Sequence, residues 1–228
     1  MNLSDNGKRK FYHEQLSKET ALVAYLDLTN MFHWQDVLGW GFRVEDVISQ
    51  LCAISTIKEV KVFYGLNERN PNPSYALRRR IGKAGATLRT KPVKFIKKNI
   101  NEALLFKRST RTLFDDGVNS KMQELIDELK RLGTIIEEPK CNFDVEIAME
   151  IMDDIEKVSA VLLFSGDSDL AAPLVRAKLK GKKIYVVGVR GMTAGELHNA
   201  KDLYIDFGKF YQGKKAYKSE NPAFGGTA

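Results

Sequence analysis

The chain has 228 residues, 43% of them hydrophobic and 29% charged, with a formal net charge of +7. That length bounds it to one large domain, or a domain with tails, and that composition suits a soluble globular core rather than a disordered chain. No apolar run approaches the roughly 18 residues that cross a bilayer, the first 20 residues lack a signal-peptide core, and two cysteines, Cys52 and Cys141, are too few for a disulfide framework or a zinc site, so a cytoplasmic protein with no membrane contact is expected.

Residues 1–20 read as a polar N-terminal extension. Ala21 to Asp27 (ALVAYLD) is a continuous apolar run ending in a carboxylate, the pattern of a buried parallel strand. Val44 to Ile57 places Val44, Val47, Ile48, Leu51 and Ile54 at helical spacing, and Val60 to Tyr64 predicts a second strand. Pro73 to Ala84 reads as a helix opened by proline and closed near Gly85. Ala86 to Ile96 is a third, more polar strand region. Residues 99–120 follow neither period and read as an insertion. Lys121 to Leu132 predicts a helix stopped by Gly133, and Phe143 to Lys157 another, with Ile147, Ile151 and Ile155 on one face. Ser159 to Phe164 (SAVLLF) is the clearest strand, followed by S-G-D-S-D. A helix over Leu170 to Lys180, a strand over Ile184 to Gly188, a short helix over Thr193 to Ala200 and a strand over Leu203 to Phe207 complete the pattern. Residues 212–228 lack periodicity and read as a flexible tail. Strands alternating with helices predict an α/β domain over residues 21–211, its parallel sheet covered on both faces with right-handed crossovers.

Charge is concentrated in one segment. Twelve lysines and arginines lie between Arg78 and Arg111, against a single acid, Glu102, so the remainder of the chain is net acidic. The segment includes Arg78, Arg79, Arg80, Lys83, Lys91, Lys94, Lys97 and Lys98, and is the electrostatic footprint expected for a polyanion. Tyr75, Phe95 and Phe106 lie among these cations, where they serve either as packing or as stacking surfaces for bases.

In open parallel sheets, ligands bind beyond the carboxyl ends of the strands. Asp27 ends the first strand, with Asn30 a short turn later; Ser165, Asp167 and Asp169 follow SAVLLF; Asp144 opens the helix after Phe143. Each aspartate alone is also what a helix cap or turn requires. Together, carboxylates crowded into one cleft cannot all ionise without compensation. An oxygen-only ligand set selects a hard divalent cation such as magnesium or manganese. The three histidines form no metal-spaced pair, and no G-x-S-x-G, P-loop or dinucleotide fingerprint is present.

The order D-x-x-N (Asp27 to Asn30), K-x-x-x-D-V (Lys140 to Val145), S-G-D-S-D with Leu170 and Pro173, then E-L-H-N-A-K-D-L-Y-I-D (Glu196 to Asp206) resembles the NYN domains, a branch of the PIN-like nucleases. The resemblance covers about residues 21–210. It implies a Rossmannoid three-layer sandwich with a mainly parallel central sheet, and hydrolysis of RNA phosphodiesters at a Mg2+ or Mn2+ site. By position it makes Asp27, Asp144, Asp167 and Asp169 the metal-binding and catalytic carboxylates, Asn30 and Ser165 their supports, and Lys140 a phosphate contact. Leu28 stands where family members often carry glycine. The implied partner is single-stranded or structured RNA; the sequence leaves a homodimer open. Two rivals remain: a non-catalytic RNA-binding module of the same fold, and a small-molecule phosphatase or nucleotidase.

Overall fold

Six strands form one parallel sheet in the order β4-β3-β1-β7-β8-β9, where β1 is Leu22–Asp27, β3 Ile57–Leu66, β4 Thr87–Pro92, β7 Ala160–Phe164, β8 Lys183–Gly188 and β9 Leu203–Asp206. This is a computed structural model describing residues 4–99 and 116–217. It divides into two compact units, one running to Pro92 and resuming at Asn142, the other spanning Val93–Cys141. Among the described residues, no helix is long and apolar enough to cross a membrane.

The first unit is a three-layer α/β sandwich. β1 and β7 are buried along their whole length, which explains why both read as unbroken apolar runs. Their side chains alternate between two faces. Leu22, Ala24 and Leu26 of β1 and Leu162 and Phe164 of β7 join a core built with α1 (Asp5–Ser17), α2 (Leu28–Leu38), α3 (Val44–Cys52) and α4 (Pro71–Lys83). On the other face Tyr25 bonds Asp154 of α6 (Asp144–Asp154), and Phe63 of β3 meets Phe143 edge-on at 5.9 Å. α7 (Ala171–Leu179) and α8 (Gly195–Ala200) follow, burying Leu174, Ala177 and Leu197. The chain leaves β1 toward β4, then returns to start again at β7 on β1's other side. The crevice between the β1 and β7 ends is therefore the topological switch point, where α/β sheets bind ligands.

The polar composition of residues 1–20 conceals a helix. In α1 only Tyr12 and Leu16 are buried, a stripe too narrow to stand out in the sequence, and Ser4 caps it by accepting from the Gly7 amide. α2 is hidden as well, because its start coincides with the strand end at Asp27. In residues 212–217, part of the expected tail, β10 (Ala216–Tyr217) pairs with β2 (Trp40–Gly41). A short helix, α9 (Phe207–Phe210), stacks Phe207 near Trp34, Trp40 and Tyr211.

The second unit replaces the single polar strand expected over 86–96. That stretch is split between β4 and β5 (Lys94–Asn99), and β5 pairs antiparallel with β6 (Ile135–Lys140), a strand that the sequence pattern does not predict. Pro139 in β6 masks it, since proline argues against strand interiors. α5 (Asp116–Arg131) begins five residues before the predicted helix and buries Ile126. Most of the expected insertion, with Phe106, Lys107, Arg108 and Arg111, lies outside the described residues, as do residues 218–228.

Candidate active site

Asp27 is at once the last residue of β1 and the N-cap of α2: its Oδ1 accepts from the Asn30 amide at 3.2 Å. Its Oδ2 accepts from the hydroxyl of Ser165 at 3.1 Å, and Ser165 is fully buried. The same Ser165 oxygen accepts from the Asp167 amide at 3.2 Å. Asn30 joins the strand ends a second time, its Oδ1 accepting from the Gly166 amide at 2.9 Å and from the Trp34 indole at 3.0 Å. Gly166 is required by close approach: a Cβ there would fall 1.8 Å from the Met192 carbonyl oxygen. Asp167 caps the 3-10 turn Ser168–Leu170, accepting from the Asp169 amide at 3.0 Å. Asp27, Asn30, Ser165, Asp167 and Asp169 are thus bound into one lattice by backbone amides and the Ser165 hydroxyl.

Carboxylate oxygens of Asp144, Asp167 and Asp169 all lie within 4.8 Å of one another. Asp144 and Asp167 are half-buried and Asp169 is exposed. Asp27 is not one of the three; it is 7% exposed and tied to them through Ser165. Asp144 opens α6, with its amide donating to the Asn142 side chain at 2.7 Å, and a carboxylate there also suits the positive end of the helix dipole. Beside the group runs a groove of about 670 Å³ lined by Lys91, Asn142, Asp144, Val145, Glu146, Ala148 and Asp169.

Burial raises the Asp27 carboxyl to about 6; the bonds from Asn30 and Ser165 oppose this, and the charges of Asp144 and Asp167 reinforce it. Asp144 is likewise raised, chiefly by burial, with Asp167, Asp169 and Glu146 adding repulsion against the opposing Asn142 bond. No lysine, arginine or histidine among the described residues forms an ion pair with any of these four aspartates. An oxygen-only negative cluster with no ion-pair partner among the described residues fits a hard divalent cation.

The residue pattern of the NYN domain matches residues 22–208 of the sequence. The chain belongs to the NYN domain family. That family implies a PIN-like nuclease fold. The low amplitude and bright protein LabA of Synechococcus elongatus is 26% identical over 189 residues, covering 83% of this chain and 84% of LabA. A protein of unknown function from Vibrio parahaemolyticus, known as a crystal structure, shares the fold with a TM-score of 0.55 at 17% identity, covering 83% of this chain and 95% of that one. Within this NYN domain Leu28, at the glycine-preferring position, is fully buried in the first turn of α2 and joins the main core.

The basic residues of the NYN domain divide into paired and free. Arg80 pairs with Glu45 at 2.5 Å, Lys91 with Glu146 at 2.6 Å, and Arg89 with Glu150. Lys91 also sits 4.6 Å above the Phe143 ring. Arg78, Arg79 and Lys83 are exposed on α4, with no ion pair among the described residues. Lys94 and Lys140 are register partners on β5 and β6 of the second unit, and Lys97 is exposed on β5. The side chain of Lys98 lies outside the described residues.

Sequence reasoning misses what holds α6 in place. Lys61, 4% exposed on β3, reaches Glu150 and Asp154 at 2.5 Å each, and Asp154 also accepts from the Tyr25 hydroxyl at 2.8 Å. Burial alone would lower the Lys61 ammonium, but these carboxylates hold it raised; burial would likewise raise the two acids, but Arg89 and Lys61 hold Glu150 lowered, and Lys61 and Tyr25 hold Asp154 lowered. The available signal is Lys61 within V-K-V-F-Y, a charge inside a strand of which both faces are covered.

Proposed function

We propose that this NYN domain is a metal-dependent ribonuclease that hydrolyses RNA phosphodiester bonds at the β1–β7 switch point. The convergence of Asp144, Asp167 and Asp169 within 4.8 Å, unpaired by any cation of the described chain, carries this reading. Those three carboxylates would hold Mg2+ or Mn2+, with the buried Asp27 beside them as a further carboxylate linked through Ser165. Each Asp27 oxygen accepts one hydrogen bond and keeps a lone pair for a ligand. A divalent ion bound there compensates charge on the phosphate and acidifies a coordinated water.

The chain's own residues supply position. Ser165 fixes the Asp27 carboxylate and orients the Asp167 amide in the same contact. Asn30 clamps the Gly166 amide, so the loop carrying Asp167 and Asp169 is set by α2 as well as by β7. Such supports commonly contribute on the order of 10- to 100-fold in metal affinity or activity. Asp144 arrives from a third element, α6, so the carboxylates that would hold the ion come from separate segments of the chain.

The decisive experiment incubates the protein with labelled single-stranded RNA and matching DNA in manganese, magnesium or chelator, alongside Asp167→Asn. Cleavage should require the metal and fall by about 10²-fold or more in the variant. Cleavage persisting in excess chelator, or at full rate in Asp167→Asn, would overturn the site assignment. Salt-sensitive RNA binding without cleavage would instead favour a non-catalytic RNA-binding module. Release of inorganic phosphate from mononucleotides without cutting of oligonucleotides would point to a phosphatase.

A further inference from the structure

We infer that the solvent face of α4, built from Tyr75, Arg78, Arg79 and Lys83, is a binding track for single-stranded RNA leading to the catalytic edge; this rests on the ribonuclease reading of that edge. The buried side of α4 is Ser74, Leu77 and Ile81. Tyr75, Arg79 and Lys83 recur at i, i+4 and i+8 on the opposite side, with Arg78 next to them, and neighbours at that spacing form one stripe. Tyr75 is 57% exposed, the most exposed phenylalanine, tyrosine or tryptophan among the described residues.

Three observations separate this stripe from an ordinary solvated helix. The structure neutralises the other cations of the first unit's basic segment, Arg80, Arg89 and Lys91, with glutamates, and leaves Arg78, Arg79 and Lys83 without ion pairs among the described residues. The helix dipole accounts for cations in the last turn, Arg80 and Lys83, but not for Arg78 and Arg79. Gly82 lies on the same side, and a Cβ there would meet nothing within 4 Å, so no packing demand explains a helix glycine at this position. A low spot flanked by arginines and approached by a backbone is what Gly82 supplies.

The chemistry selects the ligand. A flat aromatic in line with unpaired guanidinium and ammonium groups matches bases that stack and phosphates that need charge. A rigid duplex presents its bases stacked inward and does not offer one to Tyr75. The stripe spans eight residues, about 12 Å along the axis. In a parallel sheet the helix after β3 begins at the carboxyl edge, and β3 is the neighbour of β1, which delivers Asp27 to that same edge. Tyr75 is thus the stripe's member nearest the catalytic edge and Lys83 the farthest.

The test uses full-length Asp167→Asn protein without metal, and measures anisotropy of a labelled 20-nucleotide single-stranded RNA across a salt series. Polyglutamate serves as a competitor probe of charge alone. Replacing Arg78, Arg79 and Lys83 with glutamine should weaken binding at low salt and flatten the log–log salt slope by about 2, because each single-strand phosphate contact contributes about 0.7. Tyr75→Ala should weaken RNA binding about fivefold or more with the slope unchanged, and leave polyglutamate binding as it was. An unchanged slope in the triple variant together with full affinity in Tyr75→Ala overturns the track. Cleavage by the parent protein that survives such a result leaves the ribonuclease reading standing. Loss of binding in these variants with no cleavage by the parent keeps the track and removes the nuclease. Equal loss of RNA and polyglutamate in Tyr75→Ala would show a general acidic-partner surface and overturn the RNA assignment.

Discussion

Asp27 shows how one residue serves fold and chemistry together. As an N-cap it satisfies an α2 amide, and as a buried carboxylate it sits where its charge is unwelcome until something positive arrives. Its folded-state pKa is raised to about 6 against the usual 3.8. The folded protein therefore binds this proton more tightly than the unfolded chain. The stabilisation from this group is full below pH 3.8 and is lost as pH rises through about 6, a loss on the order of 3 kcal/mol in all. Thermal melts in chelator from pH 4 to pH 7 should show that loss, and Asp27→Asn should flatten it. A variant that retains the parent's full pH dependence would mean that the slope originates elsewhere. Asp27, Asn30, Ser165, Asp167 and Asp169 are legible in sequence because each falls at or just after the end of an apolar run. That Ser165 bonds Asp27 and Gly166 bonds Asn30 is not legible, since those two bonds join residues more than 130 positions apart.

At the scale of elements, α6 matters most. It brings Asp144 to the site, and it is held to the sheet by Ile147 and Ile151 and by the buried Lys61–Glu150–Asp154 network. Lys61→Met leaves two largely buried carboxylates short of a counter-charge, which should cost about 3 kcal/mol. Urea unfolding at neutral pH measures it, and a loss under about 1 kcal/mol would show that Arg89 and Tyr25 suffice. In α4 the opposite outcome is expected at Gly82. A methyl group there meets open space, so Gly82→Ala should stabilise by about 0.5–1 kcal/mol through lower helix cost. If that variant also weakens RNA binding, the glycine is retained for the ligand rather than for the helix. The helices with wide apolar faces, α3 and α6, are visible as periodicity. α1 and α2 are not, because one buries only Tyr12 and Leu16 and the other starts inside a strand signal.

For the whole molecule, the switch point explains why aspartates from separate segments meet. Metal added to the folded protein should report it without any substrate. At a hundredfold over Kd, Mn2+ should raise stability by about 2.7 kcal/mol, or roughly 5–10 °C in Tm for a chain of this size. Asp144→Asn should abolish most of that gain. No shift in the parent at millimolar Mn2+ would remove the cation from the site. The amino-acid sequence by itself determined the α/β class and the six sheet strands and put forward the candidate carboxylates, because apolar runs and the polar residues that end them are local signals. Only the tertiary structure decided that Asp144, Asp167 and Asp169 converge while Asp27 is buried and joined to Asp167 through Ser165, which arginines and lysines of the described residues stand without an ion pair, and that Lys61 is a buried anchor. Those facts depend on which strand neighbours which and which carboxylate reaches which cation. Such pairings are set by the packing of distant segments, and no window of neighbouring residues encodes them.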